Sequence, residues 1–322
     1  MTKYLRLFVS FGLLSWLAWR TDWVQVGEVF SRLRIEYWVA AVLMYAFIQV
    51  ISGYRWQRIA EPLGFRIPLS RYVGFYYIGM FFNLVLPTSV GGDVIRACYL
   101  NSRSGRRRFA FLSVLSDRLS GFVVLFGLAG LAVLLCPITL PLWVTWSVFA
   151  AVVAAYCGLA CLPVFIRLNR RLRFSLGRRF DNLGSDLLHS LRFAFRPSIL
   201  LLSLVIQSGN ILIVWLLGLS ISAPIAWWYY WIVVPMVALL TLLPVSINGM
   251  GVREGGMVLF LAPMAVREGM AMSLAFLWFS VFTVTSLVAG GLVYLFGRFP
   301  PVEVEADTAG RTSESVAHRL AA

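Results

Sequence analysis

The sequence predicts an all-α polytopic membrane protein built as an inverted repeat. Each half would hold three spans and one interrupted or re-entrant hairpin, giving about six full spans, two hairpins and eight hydrophobic segments. Four observations lead there. Of 322 residues, 60% are hydrophobic and only 13% charged, with a mean hydropathy of +0.82, whereas a soluble domain is nearer half apolar and a quarter charged. Several apolar runs approach or exceed the roughly 18 residues that mark a membrane helix. The runs are continuous rather than alternating, which selects helices over a closed barrel. Finally, the pattern P-x-S-[V/I]-x-G-x-x-[I/V]-R occurs twice, from Pro87 as "PTSVGGDVIR" and from Pro244 as "PVSINGMGVR".

Taken in order, six runs read as full spans: approximately Tyr4 to Trp19, Ile35 to Ser52, Phe109 to Leu135, Leu142 to Ile166, Ser198 to Leu219 and Ala271 to Phe296. The first has a basic start and no small-residue cleavage site, because Trp16 to Asp22 is bulky or charged, so it reads as an uncleaved helix. The segment Arg20 to Arg34 reads as an outside loop. Two longer apolar stretches, Tyr72 to Leu100 and Ala226 to Ala262, contain the repeated pattern and are broken by Pro and Gly. Each is either a pair of crossing helices or a re-entrant hairpin. One transmembrane domain is therefore expected over 1–298, with halves of about 1–136 and 137–298. The polar, Pro-led residues 299–322 read as a disordered cytoplasmic tail.

Net charge is +14, and every basic residue but Lys3 is arginine. The arginines cluster between apolar runs, as topology signals do, so nucleic acid is not an expected partner. Arg55, Arg58, Arg66 and Arg71 precede the first pattern, and Arg103, Arg106, Arg107 and Arg108 follow it. Both flanks then fall on the cytoplasmic side. The linker Arg167 to Pro197 falls there too. Its Leu and Phe residues recur every three or four positions, which suggests one basic amphipathic helix, or two broken near Gly177 or Gly184, on the inner surface. Counting crossings places a multi-pass chain in the inner, plasma membrane with both termini cytoplasmic. Cys98, Cys136, Cys157 and Cys161 read as small buried hydrophobes, and His189 and His318 suggest no site. No metal-ligand spacing and no G-x-x-x-x-G-K-[S/T] loop is present, so neither metal nor cofactor is expected.

The repeated pattern carries the candidate site. Pro87 and Pro244 interrupt helical hydrogen bonding. Gly91, Gly92, Gly249 and Gly251 permit tight turns at those breaks. Asp93 falls in the first turn of the helix that follows, where the dipole favours a carboxylate, and Arg96 stands within i,i+3 reach of it. A helix amino terminus and an arginine together suit a phosphate. The second copy offers Asn248, Arg253 and Glu254, with Arg253 matching Arg96 and Met250 standing where Asp93 would. A third stretch, "SVLSDRLSGF", puts Asp117 and Arg118 well inside the third span, where ionisable residues are costly and functional by default. Neighbours in sequence, these two do not share a helix face. Each should reach elsewhere, and Asp93 is the expected partner of Arg118.

"LPTSVGGDVIRACYL", "SVLSDRLSGF" and "LPVSINGMGVREGG", in that order, resemble the flippase-like membrane domain of lysylphosphatidylglycerol synthases. The same domain resembles a protein of archaeal dolichol-linked glycosylation. The resemblance implies movement of a lipid between leaflets, with Asp93, Arg96, Asp117, Arg118, Arg253 and Glu254 as its polar residues. It also implies membrane lipids, anionic or phosphate-bearing, as partners. The synthases carry a soluble aminoacyl-transferase domain after the membrane part, and this sequence has only a short polar tail there, so the resemblance does not carry the synthetic activity over. The alternative reading is a membrane-embedded headgroup or glycosyl transferase that uses a lipid-phosphate carrier, with Asp93 or Asp117 as base.

Overall fold

The computed structural model describes residues 23–85, 91–101, 106–137, 140–171, 177–242 and 249–297. The expected first span, Pro87, Pro244, Asn248 and the tail from 298 lie outside the described residues. Among the described residues the regular structure is all helical. In order the α-helices are α1 (Trp23–Ser31), α2 (Ile35–Ala60), α3 (Leu69–Val85), α4 (Gly91–Asn101), α5 (Arg107–Leu134) and α6 (Leu142–Arg171). They continue as α7 (Gly177–Ala194), α8 (Pro197–Ser220), α9 (Tyr230–Leu242), α10 (Val252–Leu261), α11 (Glu268–Thr285) and α12 (Gly291–Phe296).

Among the described residues, five helical stretches are long and apolar enough to cross a membrane: Ile35–Leu63, Arg107–Leu134, Leu142–Ile166, Pro197–Ser220 and Glu268–Phe296. These match five of the six expected spans. The last one runs through a π-helical turn, Ser286–Gly290, into α12. The two patterned stretches fold as helix pairs, α3 with α4 and α9 with α10. Their described arms have 17, 11, 13 and 10 residues, and three of them fall well short of the roughly 20 that a full crossing takes.

Helix ends follow local chemistry. α2 carries Glu36 in its first turn and Arg58 in its last, both favourable to the dipole. It stops where Pro62 enters a single 3-10 turn and Gly64 turns left-handed at φ 96°. α8 starts on Pro197, whose missing N–H costs nothing in a first turn.

The packing repeats under exchange of halves. α4 lies on α5 as α10 lies on α11; α2 meets α3 as α8 meets α9; and α5 meets α8 as α11 meets α2. The hairpins are exchanged across the middle, with α3 against the π turn and α12, and α9 against α5. α2 and α8 form the central pair. α6 is peripheral: none of its apolar window is buried, which leaves a hydrophobic face for lipid.

Two expectations change. The stretch after Arg20 is not simply a loop, because Trp23–Ser31 forms a helix against α11. The basic linker forms a helix from Gly177 that runs through Gly184, one of the expected forms, but its position differs. Its second half is docked on the bundle and not free on a lipid surface. Ser190 Oγ pairs with Ser116 Oγ at 2.7 Å, Asp186 accepts a 3.0 Å bond from Arg108, and Leu191 and Ala194 are buried.

Candidate functional site

The site starts from a backbone contact. A Cβ on Gly92 would lie 1.9 Å from the Gly79 carbonyl oxygen and 2.7 Å from Asn83 Cγ. Only glycine lets α4 press this closely on α3. The contact is fastened by the Gly92 N–H, which donates to Asn83 Oδ1 at 2.8 Å. One of the free donors at the amino end of α4 is therefore already taken. What the close approach delivers is Asp93 and Arg96, both 4% exposed, to the inner face of the hairpin.

There they join a chain of alternating charge. Arg55 Nε donates to Asp117 Oδ1 at 2.9 Å. The other oxygen, Oδ2, accepts from Arg96 NH2 at 3.2 Å. Arg96 NH1 contacts Asp93 Oδ1 at 3.4 Å, and Arg118 Nε pairs with Asp93 Oδ2. The order is Arg55–Asp117–Arg96–Asp93–Arg118, drawn from α2, α4 and α5. Arg118 does reach Asp93, and Asp117 turns away from Arg118 to meet two other arginines.

Aromatic rings and hydroxyls complete the frame. The Arg96 guanidinium sits over Tyr76 at 3.8 Å and over Trp56 at 4.3 Å, a cation–π clamp that replaces part of its lost hydration. Arg96 Nε is buried and makes no hydrogen bond among the described residues. Arg55 also donates from NH1 to Ser203 Oγ at 2.9 Å, which ties the network to α8.

These groups line a cavity of about 260 Å³. Gln49, Asn83, Gln207, Asn210 and Tyr45 add uncharged polar groups to its wall. The lining holds three arginines and two aspartates, a net of one positive charge. Arg118 is the most open of the five, with a third of its side chain exposed. Asp117, fully buried and ten residues into α5, is about 15 Å along the helix at the usual rise.

The structure thus brings Asp93, Arg96, Asp117 and Arg118 together, and leaves Arg253 and Glu254 outside that cavity's wall. Gly249 and Gly251 hold φ of 75° and 80°, the left-handed region that favours glycine. Glu254 Oε2 accepts the Gly251 N–H at 2.7 Å and so caps the start of α10 from its first turn. Arg253 packs over Phe279 at 4.9 Å and Trp278 at 5.7 Å. It lies near enough to Tyr45, on the cavity wall, to interact electrostatically.

Sequence reasoning missed Arg55, which it assigned to a basic linker. The signal was present: Ile48, Ser52, Arg55 and Ile59 continue one buried face at helical spacing. Gln49 and Gln207 were also passed over, although a lone amide in an apolar span marks a polar path.

Fold and site together define a polytopic helical membrane protein with an arginine-rich cavity between the first helix pair and the helices α2, α5 and α8. The chain belongs to the family described as the lysylphosphatidylglycerol synthase TM region, whose family model matches residues 4–290. That family ties the chain to lipid modification or translocation at a membrane. No curated protein matches the chain.

Proposed function

We propose that this chain is a flippase that moves a phosphate-bearing anionic lipid between leaflets, its headgroup passing through the Arg55–Arg96–Arg118 cavity. The observation that carries this reading is charge balance. Three guanidiniums against two carboxylates leave one positive charge in the cavity, with Arg118 on its open side, and a cleft of that sign attracts an anion. A phosphodiester brings one negative charge and oxygens suited to guanidinium forks. The aspartates have the task of holding the arginines in place without neutralising all of them.

The paired packing supports transport. With three crossings per half the two hairpins face opposite leaflets, the arrangement of transporters whose sites lie near the bilayer middle. Arg253 is the second-half counterpart of Arg96 and would receive the headgroup when the other leaflet opens. Acyl or prenyl chains stay in lipid beside α6 and the other exposed apolar faces. The chain sits in the inner membrane with its arginine-rich end cytoplasmic. A transferase would need Asp93 or Asp117 as a base, and both are committed to arginine pairs.

The test is headgroup accessibility in proteoliposomes that contain a fluorescent anionic phospholipid. Arg118→Gln, at the most open position, should slow transfer roughly tenfold, as loss of about 1.4 kcal/mol of charge-assisted binding would. An unchanged transfer rate in Arg118→Gln and Arg96→Ala alike would remove this assignment.

A further inference from the structure

A second concave site lies one helical layer away from Arg55, on the same central helix pair. α2 and α8 run past each other so that Arg55 faces Ser203. Moving one turn toward the arginine-rich end reaches Ile59 and Ile199, four residues on and four residues back. These two and Ala194 are almost wholly buried, with Leu202 packed on them, and form a small apolar cluster. Beyond that layer opens a cavity of about 290 Å³ lined by Arg58, Arg66, Arg196, Glu61, Ser198 and Ile199.

The chemistry of this cavity is specific. Three arginines face one carboxylate, a net of two positive charges. Glu61 stands 4.0 Å from Arg58, its i,i+3 neighbour, a separation too long to saturate either group. Arg196 is braced over the Phe193 ring at 4.6 Å. It is also the amino-terminal cap of α8, which puts the positive end of that helix beside Ser198 and Ile199 of the lining. Plain topology signals need no concavity and no convergence from three separate segments. Here residues 58, 66 and 196 meet.

We infer that this cavity is a second anion site, which receives the phosphate of an anionic lipid headgroup at the membrane surface and passes it across the Ile59–Ile199 layer to Arg55. The passage rests on the flippase reading above; the binding does not. The Ile59–Ile199 layer is the barrier between the two sites, and Glu61 is the competing anion that a phosphate displaces from Arg58. The three arginines are exposed, so replacing them leaves the packed core intact.

The experiment uses the full chain in phosphatidylcholine nanodiscs doped with phosphatidic acid, with bound lipid counted by native mass spectrometry. The same variants are assayed for transfer in proteoliposomes over a range of phosphatidic acid. Arg66→Gln/Arg196→Gln should lose about tenfold in lipid affinity and raise the half-saturating lipid by the same factor, with the saturated rate kept. Arg66→Lys/Arg196→Lys should recover most of the affinity, because charge is restored. Arg96→Gln should instead lower the saturated rate. Unchanged phosphatidic acid binding in the Gln variant would overturn the inference. So would retention of inorganic phosphate but not of phosphatidic acid, since the ligand would then be a soluble ion. If wild-type protein transferred no lipid while the Gln variant still lost binding, the flippase reading would fall and the surface site would stand.

Discussion

The two halves share a packing scheme but not a chemistry. In the first half the patterned arginine, Arg96, is the middle member of a five-residue charge chain. In the second half its counterpart, Arg253, packs over Phe279 and Trp278. The difference extends to the supporting helices. Ten residues into α5 stands Asp117; ten residues into α11 stands Trp278. Twenty residues into α2 stands Arg55; twenty into α8 stands Leu217, fully buried. The glycines that permit each break differ as well, a close helix contact at Gly92 and left-handed turns at Gly249 and Gly251. A repeated scaffold fixes where a helix is interrupted. The flanking side chains then decide whether that interruption holds an ionised cavity or an aromatic cage.

The strongest way to break the comparison is to remove the anion that joins the first-half chain. Asp117→Ala strands Arg55 and Arg96 together in a fully buried position. Removing one partner of a buried pair typically costs about 3–5 kcal/mol, so folded protein should fall sharply in fluorescence size-exclusion chromatography of detergent extracts. Trp278→Ala, at the matching depth of α11, removes packing but strands no buried ion pair, and it should be the milder change. Equal losses would show that the charge chain is not what holds the first half together.

Next comes the arginine pair. Arg96→Ala removes two carboxylate contacts and two ring contacts, and transfer in proteoliposomes should drop about 10- to 100-fold, the equivalent of about 1.5–3 kcal/mol for charged hydrogen bonds. Arg253→Ala gives up ring contacts worth about 0.5–2 kcal/mol, and its drop should be smaller. A larger effect at Arg253 would move the centre of the site into the second half.

What the sequence made legible follows the physics of each signal. The spans were readable because lipid demands long continuous apolar runs, and both hairpins were readable because Pro and Gly interrupt such runs. The partnership of Arg118 with Asp93 could be inferred, because a buried charge needs an opposite one and Asp117 lies off its face. Arg55 was hidden by its neighbours Arg58, Arg66 and Arg71, since a charge count cannot tell a buried arginine from exposed ones. Only helical phase separates Arg55, 4% exposed, from Arg58, whose side chain is half exposed. The helix Trp23–Ser31 was hidden because nine residues with charges at their flanks look like a loop. The split of roles between Arg96 and Arg253 was not readable at all, because it depends on which rings and carboxylates the fold brings beside two identical side chains.

The glycines offer a finer cut. Gly92→Ala puts a methyl group into the Gly79 carbonyl, and forcing α3 and α4 apart should cost about 1–3 kcal/mol. It should also displace Asp93 and Arg96, so transfer falls further than stability alone would explain. Gly251→Ala strains a φ of 80° and disturbs the start of α10, outside the wall of the charged cavity. A thermal shift with a smaller transfer defect than that of Gly92→Ala is expected there, measured on the same preparations.

The smallest expected effect decides what Glu254 is for. Its carboxylate is 3% exposed and already bonded to the Gly251 N–H, the posture of a cap. Glu254→Ala should therefore lower stability by about 0.5–2 kcal/mol, as lost caps do. Glu254→Gln keeps an acceptor oxygen of the same reach, and should preserve both the thermal midpoint and the transfer rate across a pH series. A proton carrier behaves differently, because an amide cannot release a proton, and transfer would then collapse in the Gln variant while the fold stayed intact. The second half would in that case contain an ionisable step of its own, and the division between a charged hairpin and an aromatic one would have to be redrawn around Glu254.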